Sequence, residues 1–210
     1  MTSIEALEWR YACKKFNDQK IIPDEKINIL MQSFNLTASS YGLQPVKLLV
    51  IQNKRLQSEL LPSSMNQPQV AQASHLFLFC THTNIDKDYI NEYFDRTINK
   101  RGTSPEVLAG FRSAVLKEFG SKSQTEIDQW AAKQAYLALG NMLTVCALEG
   151  IDACPMEGFM PHEYDRILDL KSKNLRSVLL MPVGYRADDD PFAVMVKVRK
   201  PLAESVLQIN

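Results

Sequence analysis

One long block of mainly apolar residues spans positions 135–148, where only Asn141 and Thr144 carry plainly polar side chains. A helix over this block would be apolar nearly all round, which is typical of a helix buried in a globular domain or inserted in a membrane. The block is shorter than the roughly 20 residues that a bilayer span needs. The pattern therefore predicts a buried central helix over residues 126–148, with Gly150 as its C-terminal cap.

Other apolar runs predict the remaining elements. Three runs rich in Val, Leu and Phe predict β-strands at residues 46–52, 75–81 and 176–183. Apolar residues at helical spacing predict a first helix, which carries Ile4 and Leu7, and further helices at residues 26–35, 53–61, 70–74, 85–100, 105–119 and 161–168. Strands interspersed with many helices predict an α+β or mixed α/β fold. No linker or repeat divides residues 1–210, so we expect a single domain.

Composition narrows the class of protein. Of the 210 residues, 45% are hydrophobic and 23% are charged, which is ordinary for a globular protein. The 24 basic and 24 acidic residues cancel, so the net charge gives no support for nucleic-acid binding. The first residues lack the apolar core of a signal peptide. We therefore expect no nucleic-acid partner, no membrane association and a cytoplasmic location.

The cysteines also bear on location and on metal binding. They lie far apart, in no CxxC pair and at no metal-ligand spacing, at positions Cys13, Cys80, Cys146 and Cys154. Three of them fall inside apolar runs. We expect buried free thiols in a reducing compartment, and no metal site.

Two short basic clusters are candidates for chemistry. Arg10 and Lys14 lie among aromatic residues near the start of the chain, and Lys197 and Arg199 lie near its end. In one interpretation, the first pair only complements the dipole at the end of a helix. In the other, Arg10 supplies a planar fork and Lys14 a point charge to a bound anion.

Two loops are further candidates. Residues 37–45 form a loop of small residues of the kind that lets backbone approach a ligand. Residues 155–158 follow the central helix, and they are either a plain hairpin connection or a rigid loop whose amides face a ligand. No P-loop, G-x-G-x-x-G, G-x-S-x-G or H-E-x-x-H motif is present, and three histidines disfavour a hydrolytic triad. If the protein is an enzyme, a planar organic cofactor with a phosphate suits these features.

Seven motifs in register resemble those of the FMN-dependent nitroreductases. They are RYACKKF at 10–16, ASSYGLQP at 38–45, Asn66 ahead of ASH at 73–75, the helix with KQAYL and GN at 133–141, PMEG at 155–158, PVGY at 182–185 and KVR at 197–199. The resemblance spans nearly the whole chain and is closest to the bacterial oxygen-insensitive NAD(P)H nitroreductases, the group that includes dihydropteridine reductase. It implies a mixed sheet of four to five strands surrounded by helices, in an entwined homodimer with two FMN sites between the subunits.

The resemblance also implies residue roles. Arg10, Lys197 and Arg199 would bind the FMN phosphate, at a site that includes the neighbouring Tyr11 and Ala12. Lys14 would lie at the pyrimidine edge of the flavin, where a cation raises the redox potential.

The other implied contacts come from three further segments. Asn66 would bond the flavin ring or the ribityl chain, and Ser39 and Ser40 would approach from the other subunit. The loop of Pro155, Met156, Glu157 and Gly158 would cover one flavin face, with an amide of Glu157 or Gly158 directed at N5. No catalytic side chain is implied, because FMN carries the chemistry.

This sequence departs from the family pattern at three positions. Ala12 replaces a serine that bonds the phosphate or the ribityl chain, a loss of about 1 kcal/mol. Gln69 replaces a lysine near the cofactor, and Val46 replaces an aromatic residue after Gln-Pro. We expect these changes to affect affinity and substrate range more than flavin binding itself.

The expected function is ping-pong hydride transfer from NADH or NADPH to FMN, and then to a small acceptor such as a nitroaromatic or a quinone. Three alternatives remain open at this point. One is a pteridine, flavin or enoate reductase on the same fold, and another is a non-catalytic flavin-binding protein. The third is a flavin-free structural domain, in which the basic residues are only solvated or helix-capping charges.

Overall fold

A four-stranded antiparallel sheet is the centre of the computed structural model, which describes residues 1–209. The strands are β1 (Val46–Ile51), β2 (His75–His82), β3 (Asp152–Ala153) and β4 (Leu175–Gly184), and they lie in the order β1-β2-β4-β3. All three ladders between these strands are antiparallel, and a parallel bridge joins Ala12 to Ala153 beside β3. The α+β class is confirmed. The four strands agree with the four to five that the resemblance implies, although the ladders between them are antiparallel and not mixed.

Helices surround this sheet on both faces. They are α1 (Ser3–Trp9), α2 (Asp24–Asn35), α3 (Lys54–Leu60), α4 (Gln69–Gln72), α5 (Lys87–Arg101), α6 (Pro105–Ser121), α7 (Gln124–Leu148), α8 (Pro161–Ile167) and α9 (Leu202–Ser205). None of the helices in the described residues 1–209 is both long and apolar enough to pass through a lipid bilayer.

The central strand β2 shows why the sheet is covered twice. Phe77 and Phe79 face one core, which α2 and α7 close. Leu76 and Leu78 point the opposite way, into a second core beside α3 and α8. Successive side chains of a strand point to opposite faces, so a strand buried on both sides has a continuous apolar sequence.

Helix α7 is central but is not buried all round, so that prediction is wrong. One face is buried, and it includes Ala135 and Met142. On another face Leu137 is 51% exposed and Leu148 is 44% exposed. Both faces of α7 are apolar in the sequence. The apolar pattern therefore does not distinguish a face that packs within the subunit from a face that is exposed in the single subunit.

Capping side chains set three helix starts. Thr2 and Glu5 form a reciprocal capping box at α1, and Ser123 with Glu126 forms another at α7. Because of the second box, α7 begins at Gln124, two residues before the expected start. Asp86 accepts from Tyr89 N, so α5 begins at Lys87 and not at residue 85. On α1 the predicted apolar residues face outward, since Ile4 is exposed and only Ala6 is buried.

Helices α5 and α6 pack as a pair that the 37–45 loop joins to the body of the protein. Tyr41 lies in the left-handed region with φ 59°, and its hydroxyl donates to Glu118 Oε2 at 2.7 Å. Its ring packs edge-on against Phe119 and near Trp130. Only a residue held on several sides keeps a bulky side chain at positive φ, so this loop is firmly fixed to α6 and α7.

Candidate functional site

The two basic clusters meet at the C-terminal end of α1. Lys197 Nζ donates to Leu7 O at 2.7 Å and to Glu8 O at 3.0 Å, and also bonds Arg10 O. The last carbonyls of a helix have no partners within the helix, and they attract cations. Lys197, and not the first basic cluster, therefore caps the C-terminal end of α1. Its bond to the Arg10 carbonyl also places the tail of the chain beside Arg10.

Three cations lie close together at this point. The pKa of Arg10 is lowered, first by burial and then by the positive charge of Arg199. The pKa of Lys197 is lowered by burial and by the charges of Arg10 and Arg199. Within residues 1–209, no carboxylate lies at ion-pair distance from any of the three. Two guanidinium groups without a carboxylate partner, with the positive charge of the carbonyl-bound ammonium beside them, fit a dianionic ligand group such as a phosphate monoester.

Tyr11 and Ala12 connect this cluster to the sheet. The guanidinium carbon of Arg186 lies 4.6 Å from the centre of the Tyr11 ring and 4.3 Å from that of the Trp9 ring. Cys13 N donates to Ala153 O at 3.2 Å, next to the bridge between Ala12 and Ala153. The segment after α1 is thus fixed against β3, just before the 155–158 loop.

Lys14 lies at the beginning of that loop. Its Nζ is 3.8 Å from Cys154 Sγ, and Gln69 Nε2 is 4.0 Å from the same sulfur. The thiol is buried, which raises the pKa of Cys154, while the charge of Lys14 opposes the rise. Lys14 and Gln69 therefore both lie beside the Cys154 sulfur. Gln69, which stands where the family pattern has a lysine, places a neutral amide there.

Residues 155–158 form a braced loop. Met156 exchanges backbone hydrogen bonds of 2.9 and 3.0 Å with Leu180 of β4. Tyr136 Oη donates to Glu157 Oε1 at 2.6 Å, and Gln67 Nε2 donates to Gly158 O at 2.8 Å. In the part of the chain that the structure describes, the amides of Glu157 and Gly158 donate to no acceptor. The loop therefore offers two fixed backbone donors.

Close packing against Gln67 explains why position 158 is a glycine. A Cβ at Gly158 would lie 3.0 Å from Gln67 Nε2, the atom that bonds the carbonyl of the same glycine. A larger residue would thus push away the side chain that holds the loop. Pro155, just before, is partly buried at the start of the turn.

Asn66 lies on a strained turn next to the residue that bonds the 155–158 loop. Met65 and Asn66 both have positive φ, 55° and 52°, and Asn66 N donates to Leu61 O at 3.2 Å. The Asn66 side chain is exposed, and the next residue, Gln67, bonds the 155–158 loop. Consecutive left-handed residues outside glycine are uncommon and occur where the surroundings force them.

Ser39 and Ser40 bond to their own loop and to α7. Ser39 Oγ accepts from Gln44 N at 3.0 Å, and Ser40 N donates to Gln134 Oε1 of α7 at 2.9 Å. No hydrogen bond within residues 1–209 joins either serine to Arg10, Lys14 or the 155–158 loop. The single chain thus brings together most of the expected site residues and leaves these two on a separate loop.

Sequence reasoning misses the buried acids beneath the site. The run ADDDP at residues 187–191 predicts an acidic turn, yet Asp190 is only 3% exposed and bonds the segment after α1. Asp152 is also buried, and it pairs with Arg186. Nothing in the run separates the buried aspartate from its exposed neighbours. In the described residues, no cluster of three or more His, Cys, Asp or Glu side chains could hold a metal ion.

Known proteins resemble this chain over nearly its full length. A Staphylococcus epidermidis protein named "Putative NAD(P)H nitroreductase" is 34% identical over 197 residues, which cover 90% of this chain and 89% of the relative. A solved nitroreductase-type structure from Exiguobacterium sibiricum, determined in complex with FMN, has a TM-score of 0.84 at 19% identity, with coverage of 100% of this chain and 98% of the other.

A third resemblance is to a gut-bacterial enone reductase of fatty acid saturation metabolism. Its solved structure has a TM-score of 0.79 at 16% identity, and the match covers 98% of this chain and 96% of that one. These two structural likenesses concern the fold. The sequence itself matches the Nitroreductase family over residues 7–185, from within α1 to just past β4. Since this match spans the sheet, the braced loop and the turn of Asn66, the chain belongs to the nitroreductase family.

Proposed function

We propose that this protein is an FMN-dependent oxidoreductase that takes its electrons from NADH or NADPH. The observation that carries the proposal is the convergence of Arg10, Lys197 and Arg199 without any carboxylate partner in the described residues. A phosphate monoester is the anion that such a set of donors suits, because its charge and its three oxygens match several cationic N–H groups. FMN bears one, and an FMN complex of a protein with the same fold supports this choice.

Each residue of the phosphate half of the site then has a role. Arg10, Lys197 and Arg199 hold the phosphate, while Tyr11 and Ala12 keep the segment after α1 against the sheet. The carbonyl-bound ammonium of Lys197 is fixed at one side of this anion site, where its positive charge attracts the phosphate.

The remaining residues act on the flavin ring. Lys14 lies where the braced loop begins, and there its charge favours a reduced flavin that carries negative charge on its pyrimidine part. Asn66 would bond the ring or the ribityl chain. The fixed amide of Glu157 or Gly158 would donate to the N5 edge of the ring without any proton transfer from the protein. A bound FMN would supply the hydride-accepting and electron-donating chemistry of the reaction.

We propose a ping-pong sequence, in which the nicotinamide leaves before a nitroaromatic, quinone or similar acceptor enters. The braced loop of Pro155, Met156, Glu157 and Gly158 would cover one flavin face, and donor and acceptor would then share the other. Steady-state rates at several fixed acceptor concentrations test this. Parallel double-reciprocal lines support alternating use of one site, whereas lines that intersect contradict it.

We further propose that the functional unit is a homodimer. Ile4 and Leu7 of α1 and Leu137 and Leu148 of the neighbouring α7 expose apolar side chains that soluble chains normally cover. Residues 194–209 add a tail in which most apolar side chains are exposed. A second copy would cover these surfaces and bring Ser39 and Ser40 to the other subunit's flavin. Light scattering on the eluted protein tests this, and a monomer at micromolar concentration would contradict it.

A second candidate is an enone or enoate reductase, and the fold shared with the gut-bacterial enone reductase favours it. The same bound flavin would then reduce an activated carbon–carbon double bond. The two activities are distinguished by comparing the anaerobic turnover rates of an α,β-unsaturated ketone and of a nitroaromatic. A flavin-binding protein without turnover would retain FMN and oxidise neither NADH nor NADPH. For location we propose the cytoplasm, in keeping with the buried free thiols.

A further inference from the structure

One buried carboxylate gathers donors from two distant parts of the chain. Asp190 Oδ2 accepts from Tyr11 Oη at 2.8 Å, from Lys14 N at 3.1 Å and from Lys15 N at 3.3 Å. Cys13 Sγ also lies 3.6 Å from this oxygen, although its single proton has a nearer acceptor in Lys15 O at 3.3 Å. About 175 positions separate these donors from Asp190, so this is a tertiary tie and not a local turn.

The other oxygen of the same carboxylate acts on the tail. Asp190 Oδ1 accepts from Phe192 N at 3.0 Å and caps the short helical turn Pro191–Val194. Three residues beyond that turn, Lys197 bonds the carbonyls at the end of α1. The two oxygens of Asp190 therefore fix both sides of the anion site: one holds the segment of Arg10 and Lys14, and the other starts the tail that carries Lys197 and Arg199.

The carboxylate is suited to this task because it is ionised although it is buried. Burial alone would raise the pKa of Asp190, but the hydrogen bonds from Phe192 N, Tyr11 Oη and the backbone of Lys14 outweigh it and lower the pKa. No cation forms an ion pair with Asp190 in the described part of the chain. Its negative charge is therefore stabilised by oriented N–H and O–H donors. Such donors fix the position of the carboxylate relative to the segment after α1 and the tail more strictly than a mobile ammonium would.

We propose that Asp190 is a positioning residue that assembles the phosphate-binding half of the site and thereby makes the protein prefer FMN to riboflavin. The proposal rests on the proposed function. It predicts a larger defect for FMN than for riboflavin. Loss of the tie would misplace the groups around the phosphate and, of the residues assigned to the ring, only Lys14. Among the described residues, the Asn66 turn and the 155–158 loop have no bond to Asp190 and would stay in place.

The test compares the two flavins on the protein freed of flavin. Dissociation constants for FMN and for riboflavin, which lacks the phosphate, are measured by flavin fluorescence for the wild type, Asp190→Asn and Asp189→Asn. The carboxamide that Asp190→Asn introduces has one oxygen, which cannot serve both the segment after α1 and Phe192 N. Asp189 is the matched control, since it is adjacent, 71% exposed and paired only with Lys15 at the surface.

Asp190→Asn should weaken FMN binding by about tenfold or more, the usual effect of losing a charge-assisted hydrogen bond, and weaken riboflavin binding clearly less, since riboflavin would feel only the displacement of Lys14. Asp189→Asn should change neither flavin's affinity by more than about twofold, because exposed ion pairs contribute little. Equal weakening of both flavins by Asp190→Asn would show a merely structural role and would overturn the proposal. So would an unchanged preference for FMN.

Tyr11→Phe is the second variant, for the case in which Asp190→Asn does not fold. It removes one donor to Asp190 and keeps the ring beside Arg186. The proposal is supported if Tyr11→Phe weakens FMN binding more than riboflavin binding, by a smaller factor than Asp190→Asn would. It is overturned if this variant folds and keeps the wild-type preference for FMN over riboflavin. If the wild type itself binds FMN no better than riboflavin, the phosphate site is wrong, and the proposed function fails together with the role of Asp190.

Discussion

The ammonium of Lys197 bonds the carbonyl oxygen of Arg10, although 187 positions separate the two residues in the chain. This contact makes one anion site from two basic clusters that the sequence places at opposite ends. It also gives Lys197 two tasks at once, because the same ammonium caps α1 and adds charge beside the guanidinium of Arg10. The consequences for stability and for cofactor binding can be separated by substitution.

Lys197→Ala should lower both stability and flavin retention. The carbonyls of Leu7 and Glu8 lose their shared donor, and a cation at a helix C-terminus contributes about 0.3–1 kcal/mol to the free energy of unfolding. Urea unfolding of the flavin-free protein measures the first effect, and the FMN-to-protein ratio after gel filtration measures the second. Lys200→Ala, on an exposed position of the same tail, is the control. Unchanged values for both quantities would contradict the account.

Arg199→Ala should affect the cofactor alone. The only hydrogen bond of its side chain within the described residues is to the adjacent Val198 O, so the fold does not depend on it. A lost charge-assisted bond to phosphate costs about 1.5–3 kcal/mol, which is roughly a tenfold to hundredfold rise in the FMN dissociation constant. Titration of flavin-free protein with FMN checks this. An affinity equal to that of the wild type would indicate that Arg199 is only a solvated charge.

Gln69→Lys should raise the reduction potential of the bound flavin. Gln69 Nε2 and Lys14 Nζ lie at 4.0 and 3.8 Å from the same Cys154 sulfur, so a second ammonium there would act on the same edge of the cofactor. Positive charge near that edge stabilises the reduced form. The midpoint potential is measured by equilibration with a reference dye, and Gln69→Met serves as a neutral control of similar size. A potential that falls, or that moves equally in both variants, would contradict the assignment of this edge.

Protein stability should decrease below neutral pH because of His75. Burial, and then the charge of Lys54, lowers the pKa of this imidazole. Ser74 Oγ accepts from Ile22 N at 2.8 Å and lies 2.9 Å from His75 Nδ1, a pair that suits a neutral ring. The unfolded chain therefore binds more protons than the folded one once the pH falls below about 6.5.

The expected result is a melting temperature that is steady above about pH 7 and that declines as the pH falls below about 6.5, the ordinary pKa of histidine. The pKa of His82 is also lowered by burial, so it contributes in the same direction. His75→Gln should flatten part of the decline, and His162→Gln, at an exposed position, should not. If His75→Gln declines as steeply as the wild type, the buried imidazole is not the cause.

The sequence predicts best those features that depend on near neighbours. Strands β2 and β4 and the pair α5–α6 follow from apolar runs and from local caps, and the structure places them within one or two residues of the expected bounds. The first helix is predicted correctly from the spacing of Ile4 and Leu7, but that spacing does not show what lies opposite these residues, and Ile4 faces outward. For the same reason the pattern does not show that α7 leaves Leu137 exposed in the single subunit.

The candidate site is predictable only where it forms recognisable motifs. Arg10, Lys197 and Arg199 carry charge at motif positions, and the structure does bring the three together. The role of Asp190 is hidden from sequence reasoning, because its burial arises from contacts about 175 positions away. The single domain over residues 1–210 and the individual flavin contacts remain predictions.

The visible absorption spectrum of the purified protein, recorded before and after anaerobic addition of NADH or NADPH, tests the central claim most directly. The account predicts a yellow protein with the spectrum of bound FMN, which loses its absorption near the visible maximum when the nicotinamide is added and regains it with an acceptor. A protein that stays colourless after incubation with FMN, or that binds FMN but is bleached by neither nicotinamide, would contradict the proposed function.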